Sequence, residues 1–441
     1  MLQIGFGRVC ITPDFPVCLA GGGYPKRIVT QVLEDIYVTC VAITDGRNET
    51  ILLLTQDLVS TADVYANPTR QKISDATGVP MENILLSSTH THSAPTPYPN
   101  PVGQEAFMEL YYPSVVRAAQ EALADRSEAT VRVGQTRADG LVFVRRYRLA
   151  DGTYEGASGN TSQCKELVAH AYDCDDTVQI IQFRRPHKKD VLLTNLGAHA
   201  TFNGATSMTN LSPDFPGAIR DYIEATTDCL AAYFIAAAGD QTPTTRLKTD
   251  DHGLDYRQYG RRIGQLVVEQ LPYLRQVQPG NVAVCHDCCE VPTNRQNLHR
   301  LEDAKAVWEV FQAEGFKVGN RLAHEQGFAS VYEAMAVKNH ANLPPTMNIG
   351  INAMCLGDIG FIFASYEMYS ANAAWVREHS PFPMTFVITC CNGSNGYLPS
   401  KLGYEFNCYE AYNSNVGEGA GEKLAELFVT MLTRLKSSLN I

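Results

Sequence analysis

The segment ILLSSTHTHS, residues 84–93, is the most informative part of the sequence. It opens with an uninterrupted apolar run, which is typical of a buried strand. His90 and His92 follow this run and are separated by one residue. On an extended backbone, residues i and i+2 project to the same face, so both imidazoles can reach one site. The segment therefore predicts a buried strand that ends in a pair of histidines.

The histidine pair has two interpretations. Neutral imidazole binds zinc at about 2.0–2.1 Å, so the pair could be the beginning of a metal site. Alternatively, both could be loop histidines whose rings are hydrogen-bonded to the backbone. The pair taken alone does not decide between these interpretations.

Three other segments have the same form, a strand that ends in a polar side chain. One strand ends at His199, residues 359–365 lead into Glu367, and residues 232–238 lead into Asp240. In α/β sheets the ligand crevice lies beyond the carboxyl ends of the strands, so these groups could converge. Taken singly, His199 could equally be a core histidine and Glu367 a helix cap.

Strand and helix signals alternate along the whole chain. Residues 38–44 and 50–55 indicate a strand hairpin, and residues 105–124 and 417–436 have helical periodicity. This alternation predicts the α/β class. No internal repeat, linker or shift in composition marks a boundary. Residues 1–441 are therefore expected to form a single catalytic domain.

Composition excludes several classes of function. The chain is 45% hydrophobic and 19% charged, as in folded globular proteins. Its net charge of −11 comes from scattered acidic residues, which argues against nucleic acid as a partner. No apolar run approaches the ~20 residues that span a bilayer, and the sequence shows no export signal. We therefore expect a soluble, cytoplasmic protein without a transmembrane segment.

The sequence contains 13 cysteines. In a cytosolic protein these are expected to be reduced and mostly buried. Cys285, Cys288 and Cys289 form the tightest group and include a C-x-x-C spacing. No second pair lies at a distance that would complete four zinc ligands. Ordinary thiols are therefore favoured here over a structural zinc site.

Six short segments, in their order and spacing, resemble the catalytic domain of neutral/alkaline non-lysosomal ceramidases. They are GFGRVCITP (residues 5–13), STHTHSAP (88–95), LGAH (196–199), GDQTP (239–243), NGYLP (395–399) and YEFNCYEA (404–411). The resemblance covers essentially the whole chain. It implies a mixed-sheet α/β catalytic domain with helices packed on the sheets, without the C-terminal β-sandwich domain of that family.

The resemblance also implies a metal site. Carried across position by position, the zinc ligands of the family fall on His90, His199, Glu367 and Tyr409, with one zinc ion per chain. A phenol is an unusual zinc ligand, and Tyr409 is assigned from the resemblance alone. His92 falls beside the metal, where it could donate a proton to the developing oxyanion.

Two further residues receive roles from the same resemblance. Arg145 matches the arginine that contacts the acyl carboxylate, although the adjacent Arg146 is a competing choice. Asp240 would support the metal ligands from behind. Together with His92, Arg145 and Asp240 are the predicted catalytic residues.

The sequence departs from the family at two places. The insertion that follows the G-D-x-x-P segment is absent, and Ser365 and Tyr366 stand before Glu367 where the family has Pro-Gly. The metal site of the family can be present in this chain without the lipid-binding site, so the substrate need not be ceramide itself.

These observations predict a zinc-dependent hydrolase that cleaves a linear amide with metal-activated water. The expected partner is a small N-acyl amide or ester. The alternatives are a zinc-dependent esterase and a non-catalytic metal- or ligand-binding protein on the same scaffold. The oligomeric state and the pathway stay open.

Overall fold

The computed structural model shows strands and helices alternating along the chain, as predicted for the α/β class. It describes residues 1–21, 27–95, 102–156, 166–203, 209–247, 252–406 and 408–438. The helices in these ranges are α1 Asp63–Thr77, α2 Gln104–Ala124, α3 Asp214–Thr226, α4 Tyr256–Gln270, α5 Leu301–Glu314, α6 Phe316–Glu325, α7 Val331–His340, α8 Ser370–His379, α9 Lys401–Glu405, α10 Tyr409–Asn413 and α11 Ala420–Ser438.

The strands, many of them only two residues long, lie in several sheets. They are β1 Gln3–Cys10, β2 Cys18–Leu19, β3 Arg27–Ile28, β4 Gln31–Val32, β5 Tyr37–Thr44, β6 Thr50–Gln56, β7 Ile84–Ser88, β8 Ser127–Glu128, β9 Thr130–Arg137, β10 Phe143–Val144, β11 Arg146–Leu149, β12 Tyr154–Gly156, β13 Leu167–His170, β14 Thr177–Arg184, β15 Asp190–Leu196, β16 Asn210–Leu211, β17 Cys229–Ile235, β18 Gln241–Thr242, β19 Arg275–Val277, β20 Val282–Pro292, β21 Thr346–Leu356, β22 Ile359–Phe363, β23 Glu367–Met368, β24 Met384–Ile388 and β25 Tyr397–Leu398.

The first large sheet has the strand order β7-β6-β5-β1-β8. The predicted hairpin is confirmed as β5 and β6, which pair antiparallel along almost their whole length. β7 then joins β6 in parallel, and helices α1 and α2 pack against the sheet. This arrangement puts the residues that follow β7 at the edge where β6 also ends.

The second large sheet has the order β17-β15-β14-β9-β19. β15 and β17 are parallel, whereas β14 is antiparallel to both of its neighbours. Helix α3 packs on β17 and on helix α4. β15 leads into His199, and β17 leads into Asp240.

The third large sheet has the order β20-β21-β22-β24, with β22 and β24 parallel. β20 and β21 form a long antiparallel ribbon against which helix α11 packs. Helices α5 to α7 are inserted between these two strands and have a small hydrophobic cluster of their own. None of the helices in the described part of the chain is long and apolar enough to cross a bilayer.

All three sheets contribute to one hydrophobic cluster. Leu53 from the first sheet, Leu193 from the second and Phe361 from the third are fully buried members of it. Burial of this kind is the main favourable term in folding. The single domain over residues 1–441 stays a prediction, which the shared core supports.

The cysteine group lies on β20. Alternation along a strand directs Cys285 and Cys288 to opposite faces of the ribbon, and Cys288 is exposed. Two thiols on opposite faces cannot hold one metal ion. The C-x-x-C spacing therefore does not mark a zinc site.

The ends of strands from the three sheets meet at one place. The Ser88 backbone N–H donates to the carbonyl of Cys390 at 3.2 Å, and that of Thr389 donates to the carbonyl of Ile235 at 3.1 Å. The Asn195 side chain donates to one carbonyl on β17 and one on β24, both at 2.9 Å. These hydrogen bonds hold the ends of β7, β15, β17 and β24 together.

Candidate metal centre

Three histidines form a compact cluster where these strand ends meet. His90 and His92 follow β7, and His199 follows β15. One ring nitrogen of each histidine lies within 4.8 Å of the other two. His90 and His199 are almost fully buried, at 2% and 1% exposure, whereas His92 is half-buried. The cluster is therefore open to solvent mainly on the side of His92.

Backbone hydrogen bonds determine the tautomer of each ring. Each Nδ1 lies within hydrogen-bond distance of a backbone carbonyl oxygen, which can only accept. Each Nδ1 therefore carries the hydrogen, and the Nε2 lone pair of the neutral ring is left free. The carbonyls are those of Val59 for His90 at 2.7 Å, Gly21 for His92 at 2.8 Å and Ala238 for His199 at 2.6 Å.

The Glu367 carboxylate lies next to the free Nε2 lone pairs of these histidines. Its Oε2 lies 2.9 Å from His199 Nε2 and 3.2 Å from His90 Nε2. The Nε2 atoms of His90 and His92 are 3.3 Å apart. With neutral rings all of these atoms are acceptors, so they repel one another unless a cation lies among them. Imidazole nitrogen and carboxylate oxygen are zinc ligands, so this donor set fits a zinc ion.

The pKa values also indicate that the site favours positive charge beside Glu367. Burial opposes ionisation of Glu367, but His90 and His199 outweigh burial and hold the pKa of Glu367 well below its usual range. Burial lowers the pKa of His199 to about 4 and, with repulsion from the other rings, lowers the pKa of His92. Burial also opposes protonation of His90, but Cys390 and Glu367 raise its pKa. The site therefore favours one cation beside Glu367.

Strained backbone accompanies the cluster. His90, Cys390 and Asn392 have φ values of 65°, 50° and 60°, in the left-handed region that side chains rarely adopt. Such strain tends to collect at functional sites. The expectation that His90 and His92 share the face of an extended strand is wrong, because β7 ends at Ser88 and His90 has a left-handed φ of 65°. Both rings still reach one site.

Tyr409, the fourth predicted ligand, is the first residue of helix α10. Burial, partly offset by Arg145 and reinforced by Glu367, raises the pKa of Tyr409 to about 12. The ring packs edge-on against Tyr397 and Tyr412, with centroids 5.8 and 5.5 Å away. Tyr409 thus lies within the electrostatic reach of Glu367, and its role as a ligand stays a prediction.

The two candidate arginines have different surroundings. Arg145 is an ion-pair partner of Glu410 at 2.7 Å and donates through Nη2 to the carbonyl of Gly239 at 2.7 Å. Desolvation opposes its charge, but Glu410 and then other groups including Glu367 raise the pKa of Arg145. Arg146 instead donates to the carbonyl of Phe406 and stacks on that ring, 4.8 Å from its centroid. Of the two, Arg145 has the electrostatic contact with the cluster.

Asp240 lies behind the cluster rather than within it. Its carboxylate accepts from the Ser370 backbone N–H at 2.8 Å, from the Ser370 hydroxyl at 2.7 Å and from Tyr172 at 3.3 Å. Its backbone carbonyl accepts from the Arg145 N–H at 3.0 Å. Burial raises the pKa of Asp240 to about 6. These contacts suit a supporting role, and a catalytic role stays a prediction.

Three residues near the cluster were not predicted from the sequence. Cys390 Sγ lies 3.5 Å from His90 Nδ1, Glu410 pairs with Arg145, and the Tyr397 ring lies 5.5 Å from the Arg145 guanidinium. Glu410 and Tyr397 belong to segments that the resemblance to ceramidases already contained. Their contacts join distant parts of the chain, so no spacing in the sequence could have indicated them.

Comparison with known proteins identifies the fold. No protein-family model and no curated protein matches the sequence. A structure described as ceramidase complexed with C2 is similar, with a TM-score of 0.72 and 14% identity over 99% of this chain and 76% of that chain. The neutral ceramidase from Pseudomonas aeruginosa has a TM-score of 0.72 and 15% identity, over 99% and 75%.

The predicted resemblance to neutral ceramidases is therefore confirmed for the fold. The chain has a mixed α/β architecture similar to that of the ceramidase catalytic domain, with helices packed on the sheets. Similarity at 14–15% identity concerns the fold, and a fold alone does not establish an activity.

Proposed function

We propose that this chain is a zinc-dependent hydrolase of a linear N-acyl amide bond. One observation carries the proposal. Glu367 Oε2 lies 2.9 Å from His199 Nε2 and 3.2 Å from His90 Nε2, His92 Nε2 lies 3.3 Å from His90 Nε2, and each Nδ1 is engaged by a backbone carbonyl. Converging acceptors of this kind favour a cation, and histidine with carboxylate is the ligand chemistry of catalytic zinc sites.

His90, His199 and Glu367 would hold the ion, with Tyr409 as the proposed fourth ligand. Zinc bound in this way polarises a carbonyl group and lowers the pKa of bound water towards ~7. The backbone carbonyls behind His90 and His199 would keep both rings oriented, as outer contacts do in metal sites generally.

His92 is the proposed proton carrier. Burial and the neighbouring histidines hold its pKa well below the usual value, so its ring is neutral near pH 7. The Nε2 lone pair can then accept a proton and later deliver it to the leaving amine. His92 is also the most exposed of the three histidines, which suits a residue that meets substrate. The position of His92 also allows it to be a further zinc ligand, and the experiment below separates the role of proton carrier from that of ligand.

Arg145 is proposed to bind the carboxylate that forms when the amide is cleaved. The guanidinium is anchored by Glu410 and by the Gly239 carbonyl, so its direction is set before substrate binds. Preorganised charge of this kind stabilises developing negative charge effectively. Asp240 would act indirectly, because its contacts to Ser370 and to the Arg145 N–H tie together the segments around the site.

The substrate class is proposed as small N-acyl amides, with esters as the alternative. The ceramidase in the similar structure is described as complexed with C2, and a related amide is the natural first candidate here. The cytoplasmic location and the absence of a nucleic-acid partner stay predictions from composition.

Metal analysis tests this proposal. Protein purified without chelators should contain about one zinc ion per chain. His199→Ala and Glu367→Ala should lose the ion, whereas His299→Ala, at an exposed position in Leu298–Arg300, should keep it. Wild-type protein that neither contains nor takes up zinc would contradict the proposal and favour a binding protein on the same scaffold.

Activity on matched N-acyl amides and esters completes the test. Wild type should release amine from the amide, and His92→Ala should keep zinc but lose activity by about 10²–10⁴-fold, as expected for a general acid–base. Loss of zinc in His92→Ala would instead identify His92 as a ligand. Turnover of esters alone would favour the esterase.

A further inference from the structure

Arg27 begins strand β3 and is buried beside the main chain of His92. The residue is 2% exposed, and burial lowers the pKa of Arg27 against a smaller opposing effect of Cys18. Nη2 donates to the His92 carbonyl and Nη1 to the Ala20 carbonyl, both at 2.8 Å. Burial of a guanidinium is costly unless such hydrogen bonds compensate it. One guanidinium therefore joins the main chain of His92 to that of Ala20.

The same stretch of main chain also holds the His92 ring. The Gly21 carbonyl, one residue after Ala20, lies 2.8 Å from His92 Nδ1. The Ala20 backbone N–H donates to the Ala94 carbonyl at 2.9 Å. Hydrogen bonds from Arg27 and to Ala94 thus fix Ala20, and with it the direction of the next carbonyl. The main chain of His92 and the acceptor of its ring are therefore tied to one guanidinium.

The Gly21 backbone lies close against the His92 ring. Gly21 has a φ of 85°, and a Cβ atom at this position would lie 2.5 Å from Cγ of His92. Glycine is the residue that permits so close an approach of backbone to a side chain. Elsewhere on the ring, His92 Nε2 lies 3.3 Å from His90 Nε2. The position of the Gly21 backbone therefore sets the position of the ring relative to the cluster.

The Gly21 carbonyl also decides which ring nitrogen can accept a proton. A carbonyl only accepts, so His92 Nδ1 carries the hydrogen and Nε2 keeps its lone pair. If this carbonyl moved away, the other tautomer would become accessible, with the hydrogen on Nε2 and no lone pair there. Such a ring could not take up a proton at the atom that faces the cluster. Displacement of Gly21 is therefore expected to impair the role proposed for His92.

We propose that Arg27 is a positioning residue for His92. Its two Nη donors hold the His92 main chain and the Ala20–Gly21 segment in one fixed relation, and so keep the Nε2 lone pair directed at the histidine cluster. The planar guanidinium suits this task, because its donors have a fixed geometry that a lysine ammonium lacks. This role rests on the proposed function of His92 as proton carrier. The alternative is that Arg27 only stabilises the pairing of β2 with β3.

Nitrogen NMR of the histidine rings tests this role without substrate. Zinc is first removed from the full chain with a chelator, so that a metal bond cannot itself determine the tautomer of His92. The His92 signals, assigned by their loss in His92→Gln, should show the Nδ1–H tautomer in wild type. Arg27→Lys and Arg27→Gln should each show an additional population of the Nε2–H tautomer, because neither side chain provides the same pair of fixed donors.

Kinetics with an N-acyl substrate give the second readout. Both Arg27 variants should keep zinc and lose kcat by about 10–100-fold, with KM within about twofold, since orientation of a catalytic ring commonly has this value. Arg70→Gln is the matched control, because Arg70 on helix α1 also donates to two backbone carbonyls, both at 2.9 Å. This variant should lower the melting temperature but leave the His92 tautomer and kcat unchanged.

The two readouts separate the role of Arg27 from the hydrolase activity. A tautomer change in the Arg27 variants supports the positioning role even if wild type cleaves no amide, a result that would count against the hydrolase alone. An unchanged tautomer in both variants, or wild-type kcat in Arg27→Lys, would overturn the positioning role. An Nε2–H tautomer in wild type would also overturn it, and this measurement stands even if neither variant folds.

Discussion

Two buried clusters of charged groups in this protein follow opposite rules. Arg220 on helix α3 donates through Nη1 to both carboxylate oxygens of Asp57, at 3.0 and 2.9 Å. Asp57 also accepts from the Tyr37 backbone N–H at 2.9 Å. At the candidate metal centre, by contrast, the Glu367 carboxylate faces the acceptor nitrogen of His199 at 2.9 Å. The first cluster pairs donors with acceptors, whereas the second brings acceptor atoms together.

The difference teaches how structural and ligand-binding polar groups can be distinguished. Both clusters contain buried groups and both join distant elements, so burial and charge alone do not separate them. The direction of the hydrogen-bond donors and acceptors separates the two clusters. Where donors face acceptors, the pair is satisfied by folding itself, and where acceptors converge, a ligand has to supply what is missing.

Breaking the satisfied cluster should have the largest effect on stability. Asp57→Ala leaves the 4%-exposed Arg220 side chain buried without its counter-ion, and should reduce the free energy of unfolding by about 3–5 kcal/mol. Urea denaturation measures this loss. Glu121→Ala breaks the exposed Arg117–Glu121 pair on helix α2 and should cost about 0.5 kcal/mol or less. Similar losses in the two variants would contradict the distinction.

A third buried carboxylate refines the comparison. Among the described residues, backbone N–H groups donate to the Asp214 carboxylate, those of Asn203 at 2.8 Å and Phe215 at 2.7 Å, and burial raises its pKa to about 6. Because the folded pKa lies above the unfolded value, the folded state binds the proton more tightly. This contribution therefore stabilises the protein as the pH falls from about 6 towards 4, by about 3 kcal/mol in total.

Stability measured against pH checks this expectation. Asp214→Asn removes the titrating group, and asparagine also tolerates the left-handed φ of 57° at this position. The difference between wild type and Asp214→Asn should therefore change between pH 6 and 4 and be constant above pH 7. A difference that stays constant through this window would refute it.

Zinc should stabilise the protein by binding among these converging acceptors. Zinc at about one hundred times its Kd should raise the free energy of unfolding by about 2.7 kcal/mol. The increment should disappear in His199→Ala, whose Nε2 would no longer face Glu367. Arg117→Ala, on the exposed face of helix α2, should retain the full increment. An increment that survives in His199→Ala would place zinc elsewhere.

The smallest effect is expected from a substitution of Glu410, whose carboxylate forms an ion pair with Arg145 beside the site. Glu410→Gln removes the counter-ion that anchors Arg145 at 2.7 Å, so the guanidinium should bind substrate less well. With an N-acyl substrate we expect KM to rise about tenfold, or ~1.4 kcal/mol, with kcat within about twofold. Glu405→Gln, exposed on helix α9, is the matched control. A fall in kcat with unchanged KM would contradict a positioning role.

Local elements could be predicted closely because their signals are local. The helix predicted over residues 105–124 is Gln104–Ala124, and the one predicted over 417–436 is Ala420–Ser438. Apolar periodicity of this kind depends on near neighbours in the chain. The prediction failed at His90, where an extended backbone was expected, because hydrogen bonds to distant segments hold its backbone at a left-handed φ.

The sequence by itself determined the α/β class, the main strands and helices, and which polar side chains follow strand ends. It could not determine that the acceptor atoms of His90, His199 and Glu367 converge, or that Arg145 rather than Arg146 has the electrostatic contact with them. Those facts depend on the order of strands in three sheets and on contacts between residues more than a hundred positions apart. Only the tertiary structure decides them, because chain neighbours do not encode which strand ends meet.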